Sequence, residues 1–289
     1  MAEHTIPVDL FNPGQVFACL GFLEAADILL GDAEGGFDWR NEGDVRFHLG
    51  ANGDENPFEV ILQFLKNADV KAMAPARSER RAEKWKIPTL VLGEGEPFPF
   101  PNPPSPATLP ALLVAPCGSI LLDYWGDATE RDNVKFWAGA AGYPGAALAA
   151  DALELSREGI DAAMDDPFQF SAPQSSSFRF DWRRDYIPID TGFSPNVHAE
   201  VRMVGFPLVE LLAAIGLSHS RPQRLNKLDY RYGVGGADGD DLLDPILLRA
   251  VLGCAPLPIP QRRFRMQLGW PGQENQARCI LDVTEETIP

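Results

Sequence analysis

Phe178 to Leu217, FRFDWRRDYIPIDTGFSPNVHAEVRMVGFPLVELLAAIGL, is the stretch on which the fold turns. It opens on alternation: Phe178, Phe180 and Trp182 share one parity, and Arg179, Asp181 and Arg183 share the other. A period of two predicts a strand with one apolar face. Gly192 and Pro195 mark a turn, and Val197 to Val204 predicts a second short strand. After Pro207, Leu208, Leu211, Leu212 and Ile215 recur at helical spacing, and Gly216 stands near the expected C-terminus of that helix. The local order is then strand, turn, strand, helix. The arginines fall on the strand face that a core does not need, so that face is expected to meet solvent, a protein partner or phosphate.

Toward the N-terminus, Ile6 to Leu10 predicts a strand. Asn12 predicts a helix cap with Pro13 in the first turn, and the helix runs to about Leu30 with Phe17, Leu20, Leu23 and Ala26 on one face. Gly21 lies in its middle, where glycine costs about 1 kcal/mol relative to alanine, so a close approach by another element is the expected compensation. Phe37 to Arg40 and Val45 to Leu49 predict a hairpin, and Glu55 to Asn67 a second helix with Phe58, Ile61, Leu62 and Leu65 as its apolar face. Glu94 to Pro116, crowded with proline, predicts a surface loop or a linker between two lobes of an otherwise single domain spanning 1–289.

Beyond it, Ile120 to Trp125 predicts a strand, and Lys135 to Leu155 a helix whose first half is broken by glycine and proline. Toward the C-terminus, Leu228 to Val234 predicts a strand, Leu242 to Leu252 a helix, and Arg262 to Leu268 with Ala277 to Val283 a last hairpin. Strands and helices mix without regular βα alternation, which makes the class α+β. Phe-Asp-Trp-Arg occurs twice, at Phe37 to Arg40 and at Phe180 to Arg183.

Composition narrows the function classes. The chain has 289 residues, 45% of them hydrophobic, ample for a buried core. No apolar run reaches the roughly 18 residues that span a bilayer. MAEHTIPVDL lacks a basic start followed by an apolar core, so a signal peptide is not expected and the expected location is the cytoplasm. Cys19, Cys117, Cys254 and Cys279 are widely spaced, with no CxxC pair, and read as small core residues. The formal net charge of −16 opposes a free-standing nucleic-acid binder, because phosphate affinity comes from lysine and arginine.

Catalytic patterns are missing. His4, His48, His198 and His219 form no HExxH or HxH motif, and there is no GxSxG elbow, Walker loop or kinase signature. Gly233 to Gly239 lies between a strand and a helix, but its spacing is not GxGxxG. Asp238, Asp240 and Asp241 stand where phosphates would sit; with Asp244 they could ligate calcium, but the terminal glutamate of an EF-hand is missing, so a solvated loop and helix capping are expected there. The most basic window, Lys71 to Lys86, reads as a solvated surface or as a phosphate-facing arm. Aromatic residues beside cations, at Lys135 to Trp137, Trp182 to Arg184 and Gln261 to Arg265, read as core or as base-stacking platforms.

Asn12-Pro-Gly-Gln-Val-Phe-Ala-Cys19, LDYW at Leu122 to Trp125, KFWAG at Lys135 to Gly139, GFSPN at Gly192 to Asn196 and VELLAAIGL at Val209 to Leu217 resemble an accessory protein family of type I-G (formerly I-U) CRISPR systems. Its members are encoded beside, or fused to, the CRISPR helicase-nuclease. The resemblance implies antiviral defence, a ferredoxin-like (RNA-recognition-like) core with helical insertions, and partners among the CRISPR effector subunits and the helicase-nuclease, with guide RNA or target DNA as further ligands. It implies no catalysis, cofactor or metal of the protein's own. Arg179, Arg183, Arg184, Lys135 and Lys227 are the candidate phosphate or partner contacts, with Trp137 as a stacking platform. An acidic adaptor that binds protein alone, and a metal-dependent nuclease, are the alternatives.

Overall fold

The computed structural model describes residues 1–98, 103, 105–125, 143–174, 176–184, 203–237, 242–269 and 278–287. Its centre is a helix, α1 (Pro13–Leu29), capped by Asn12, whose side-chain oxygen accepts from the Gly14 amide at 3.1 Å. The residues from Pro13 to Ala26 are buried on every side, as expected of a helix apolar all round. A second such helix, α4 (Pro207–His219), is buried from Pro207 to Leu217 and lies along the first.

Glycine permits that contact. A Cβ on Gly21 would stand 1.9 Å from the Leu212 carbonyl oxygen, and one on Gly216 would stand 2.2 Å from that of Phe17. The two helix backbones therefore touch at reciprocal glycines. Gly21 fulfils its expected role, and Gly216 belongs to the crossing, with the helix running on to His219.

Two sheets and three further helices enclose this pair. The first sheet begins with β1 (Ala2–Pro7), β2 (Glu34–Asp38) and β3 (Arg46–Ala51). It continues with β10 (Gln223–Asn226), β11 (Asp229–Ala237), β12 (Gln261–Gly269) and β13 (Cys279–Glu286). Its order is β1-β3-β2-β11-β12-β13, with β10 on β11 and β2–β11 paired in parallel. The second sheet joins β4 (Asp69–Ala74), β5 (Thr89–Val91), β6 (Ala111–Ala115) and β7 (Gly118–Leu122) in the order β5-β4-β6-β7. Helix α1 touches both sheets. Around the pair stand α2 (Pro57–Asn67, capped by Asn56), α3 (Gly145–Arg157) and α5 (Pro245–Leu252). Asp244 caps α5, accepting from the Leu247 amide at 2.8 Å, the role expected of the acidic stretch before that helix. Two short strands, β8 (Ala172–Pro173) and β9 (Val204–Gly205), pair with each other.

The fold is α+β. Strands β1 and β2, linked through α1 with β3 between them, make the split βαβ unit of ferredoxin-like folds. Strand β4 would have to close that unit beside β1. It pairs instead with β5 and β6, so among the described residues this sheet does not complete a ferredoxin-like core.

Several sequence expectations are corrected. Phe178 to Arg183 is not a strand. Arg179 takes a left-handed conformation (φ 67°), which ends any ladder there; Phe178 and Phe180 are buried as their parity requires, but Trp182 of the same parity is exposed and Asp181 of the other is buried. The Pro-rich stretch is not wholly irregular: its end forms β6, which pairs with β4, so the stretch connects β5 and β6, the two strands that flank β4 in one sheet. Gly233, Gly235 and Gly236 lie inside β11, not in a loop. Three cysteines are buried free thiols as expected, but Cys117 is exposed in the β6–β7 turn. Lys135, Trp137, GFSPN, His198 and most of the second predicted strand lie outside the described residues.

Candidate interaction site

The segment Phe178 to Arg184 crosses the N-terminal ends of both central helices. Asn12 Nδ2 donates to Asp181 Oδ1 at 3.0 Å, which ties the cap of α1 to the segment. Asp181 is fully buried. It also accepts from the Arg183 amide (2.9 Å), Arg183 Nε (3.0 Å) and Arg183 Nη2 (2.7 Å). From α4, buried Glu210 Oε1 accepts the amides of Phe180 (3.0 Å) and Asp181 (3.1 Å). Its second oxygen has no hydrogen-bond partner. Burial pushes the Glu210 carboxyl up to about 7, against the two amides and the nearby Arg184, which favour its ionised form; the Asp181 charge adds to the upward push.

Aromatic rings fill the rest of the junction. Phe178 stacks on Phe180 (centroids 5.5 Å apart) and on Trp125 (5.9 Å), while Tyr124 meets Phe180 edge-on at 5.5 Å. Trp125 Nε1 donates to the Leu109 carbonyl at 2.9 Å, which satisfies its one polar group.

The two Phe-Asp-Trp-Arg copies build the same local clip. Around Asp38, the Arg40 amide (3.0 Å), Nε (3.2 Å) and Nη2 (2.7 Å) donate to one carboxylate, matching the pattern at Asp181 and Arg183. An aspartate two residues before an arginine closes an Asx-type turn and then holds the guanidinium in bidentate fashion. The repeat thus has a local physical cause. The copies differ in setting: the Arg40 and Asp38 side chains are 59% and 20% exposed, whereas Asp181 is fully buried beneath helix ends and Arg183 is 24% exposed.

The predicted contact residues separate accordingly. Arg184 is buried, 5% exposed, and donates to the Gln174 carbonyl at 3.2 Å. Arg183 holds Asp181, donates to the Phe168 carbonyl at 2.7 Å and lies 3.6 Å from the Phe206 ring centroid. Arg184 thus faces inward, and Arg183 is held from behind by Asp181 while staying 24% exposed, so the outward arginine face expected of a strand is not formed. Arg179 is half-buried, and Lys227 is exposed beyond β10. The structure brings Arg179, Arg183 and Arg184 together and leaves Lys227 apart from them in a separate hairpin turn.

Arg183 also lines an open cleft of about 770 Å³ beside this junction. Its other walls are the Pro7–Phe11 loop, Gln15, the Glu42–Val45 turn, Asp166 to Gln169 in part, Arg262 and Glu285. Five carboxylates (Asp9, Glu42, Asp44, Asp166, Glu285) face two guanidiniums there. Arg262 is held by Glu285 through contacts of 2.7 and 2.6 Å, and Asp44 lies 3.3 Å from Arg46. Asp166 Oδ1 is buried with no hydrogen-bond partner, and burial raises its carboxyl above the ordinary range. Sequence reasoning named Arg183 of this set as a contact residue, and Arg262 within the Gln261 to Arg265 stretch, but none of the acids. The acids come from four separate segments, and nothing in their spacing forecast that they would meet.

Elsewhere the same pairing of cation with acid recurs: Lys66 with Asp161, Arg77 with Glu94, Arg231 with Glu286, Arg249 with Glu24, and Arg265 with Asp229. Among the described residues no group of three or more His, Cys, Asp or Glu side chains is placed to hold a metal ion, and no helix is long and apolar enough to cross a membrane. No family model matches the chain, and no curated protein or solved structure is detectably similar to it.

Proposed function

We propose that this protein is a non-catalytic accessory subunit of a type I-G CRISPR system, which acts by protein contact with the effector ribonucleoprotein or the helicase-nuclease. The observation that carries this reading is a convergence. Three of the segments on which the resemblance rests are far apart in sequence, yet all reach the same short stretch. Asn12 bonds Asp181, Tyr124 packs on Phe180, and Glu210 accepts the amides of Phe180 and Asp181. Residues that meet in one junction are the kind that a family shares for packing, so the resemblance is one of core rather than of scattered surface.

Charge favours protein over nucleic acid as the partner. A body of net charge −16 repels phosphate, and the guanidiniums at Arg40, Arg46, Arg183, Arg231, Arg249, Arg262 and Arg265 are already held by the protein's own carboxylates.

Co-expression of the tagged chain with the type I-G effector subunits and helicase-nuclease tests the reading. Stable co-purification with one of them is the expected result, and recovery of the chain alone from every combination would remove the proposal. A gel shift with single-stranded RNA and with duplex DNA at low salt is expected to show no complex. A salt-sensitive complex there would return the protein to the nucleic-acid-binding class.

A further inference from the structure

We infer that the cleft between the Pro7–Phe11 loop, the Glu42–Val45 turn and Asp166 is a docking site for a lysine- or arginine-bearing segment of a partner protein. The inference rests on the protein-contact reading above and names the surface that would serve it. Three features of the cleft argue for a cationic peptide.

The first is uncompensated negative charge. Of the two guanidiniums in the walls, Arg262 is neutralised by Glu285 and Arg183 by Asp181 behind it. Among the described residues Glu42 makes no ion pair or hydrogen bond, though it lies within the field of Arg262, and the Asp9 carboxylate accepts from the Phe11 amide (2.9 Å) without an ion pair. The second is Asp166: backbone amides of Phe168 and Gln169 bond its carboxylate, but its buried Oδ1 lacks a partner among the described residues. An acceptor taken from water without a hydrogen bond costs free energy that an incoming ammonium or guanidinium would recover.

The third is Gln15. It is 3% exposed and lines the cleft, and its side-chain oxygen is spent on the Asp9 amide at 2.7 Å. Its amide nitrogen has no partner among the described residues, which leaves donors for a carbonyl such as a peptide backbone offers. A polyamine or metal ion has no such acceptor. Phe11, 38% exposed and packed edge-on against Phe264, supplies an apolar lip for the stem of a long basic side chain. The cleft volume of about 770 Å³ lies within the usual range of roughly 300–1,000 Å³ for ligand sites.

The test is calorimetric titration of the full-length protein at low salt with an arginine-bearing hexapeptide, Ac-Gly-Arg-Gly-Arg-Gly-Arg-NH2. Parallel titrations use the same peptide with Glu for Arg, spermidine, and a single-stranded RNA. The arginine peptide is expected to bind, and E42K and the double variant E42Q/D166N are each expected to weaken it at least about tenfold, which is 1.4 kcal/mol. Glu42 is exposed, so E42K leaves the core untouched and remains informative if the double variant fails to fold. Absence of arginine-peptide binding, unchanged binding by E42K, equal affinity for spermidine, or preference for RNA would each overturn the inference. Co-purification separates the two proposals. If E42K retains a CRISPR partner that the wild type captures, the cleft inference falls and the function stands. If the wild type captures no such partner but binds the peptide through the cleft, the function falls and the cleft stands.

Discussion

Replacing Glu210 with glutamine should make this protein more stable above neutral pH and leave it unchanged near pH 4.5. Glu210 is buried at the start of α4 with one oxygen occupied by two backbone amides and the other empty. Its neighbours pull in opposite directions: burial and the charge of Asp181 disfavour ionisation, while Arg184 and the two amides favour it, and burial is the largest influence. The carboxyl rises from its ordinary 4.5 to about 7.

The sign follows from linkage. Between about 4.5 and 7 the folded protein holds a proton that the unfolded chain has released, so this group's contribution is fully present at pH 4.5 and below. It is lost as pH rises to 7 and does not change further above that. At 1.36 kcal/mol per pKa unit, the loss is on the order of 3 kcal/mol. Glutamine keeps an oxygen for the Phe180 and Asp181 amides and cannot ionise. Urea denaturation at pH 5, 6, 7 and 8 should therefore show a variant whose advantage over wild type grows with pH, with an upper bound of about 3 kcal/mol at pH 8. Alanine at this position leaves both amides without an acceptor and should destabilise at every pH, by about 1–3 kcal/mol per orphaned group. A glutamine variant less stable than wild type at pH 8 would refute the reasoning, because it would mean that Arg184 compensates the buried charge in full.

Three further outcomes follow from the packing. Gly21→Ala and Gly216→Ala each drive a methyl into the facing helix backbone, at 1.9 and 2.2 Å, and should lower stability by at least about 1–3 kcal/mol in thermal or urea melts, with no change on mutating Gly43 in the exposed hairpin turn. Asp38→Ala and Asp181→Ala break the same clip in two settings: the exposed one should cost less than about 1 kcal/mol, and the buried one about 1–3 kcal/mol, because it leaves the buried Asn12 amide without its acceptor and Arg183 without its carboxylate. Reversing Arg183 and Arg184 to glutamate should disrupt the fold itself, visible as lost near-ultraviolet circular dichroism, whereas Lys227→Glu should leave the spectrum intact and so isolate any role of that cation in assembly.

Local chemistry was legible in the sequence wherever it depended on near neighbours. Asn12 with Pro13, and Pro207 with the leucines after it, specify helix starts whose causes lie within a few residues, and both helices form where the spacing puts them. The hairpin of β2 and β3 follows from alternation on each side of a turn. The failure at Phe178 to Arg183 is equally physical. Alternation records only that Phe178 and Phe180 share a side. It cannot register that Arg179 turns left-handed or that Asp181 is taken up by Asn12, a partner 169 positions away in sequence. The one local signal available was the aspartate two residues before arginine in both Phe-Asp-Trp-Arg copies, which forecasts the clip but not the loss of the ladder, since Phe37 and Asp38 of the first copy end strand β2. The acidic cleft gave no such signal, because its walls are assembled by the sheet and the helix junction from segments with no common pattern.

The clip also explains how an acidic protein can carry inward-facing arginines. Asp181 neutralises Arg183, Glu24 holds Arg249 across from α1 to α5, and Glu210 lies near Arg184. Each cation is thereby committed to locking helix ends or strands together, a use in which removing one partner is costly because the other stays buried and charged. Acids committed in this way leave the remaining carboxylates, among them Glu42 and Asp166, as the charge that an incoming molecule meets. The arrangement inverts the role that the sequence suggests for its arginines. They fasten the scaffold, and recognition passes to the acids, so the partner rather than this protein should bring the positive charge.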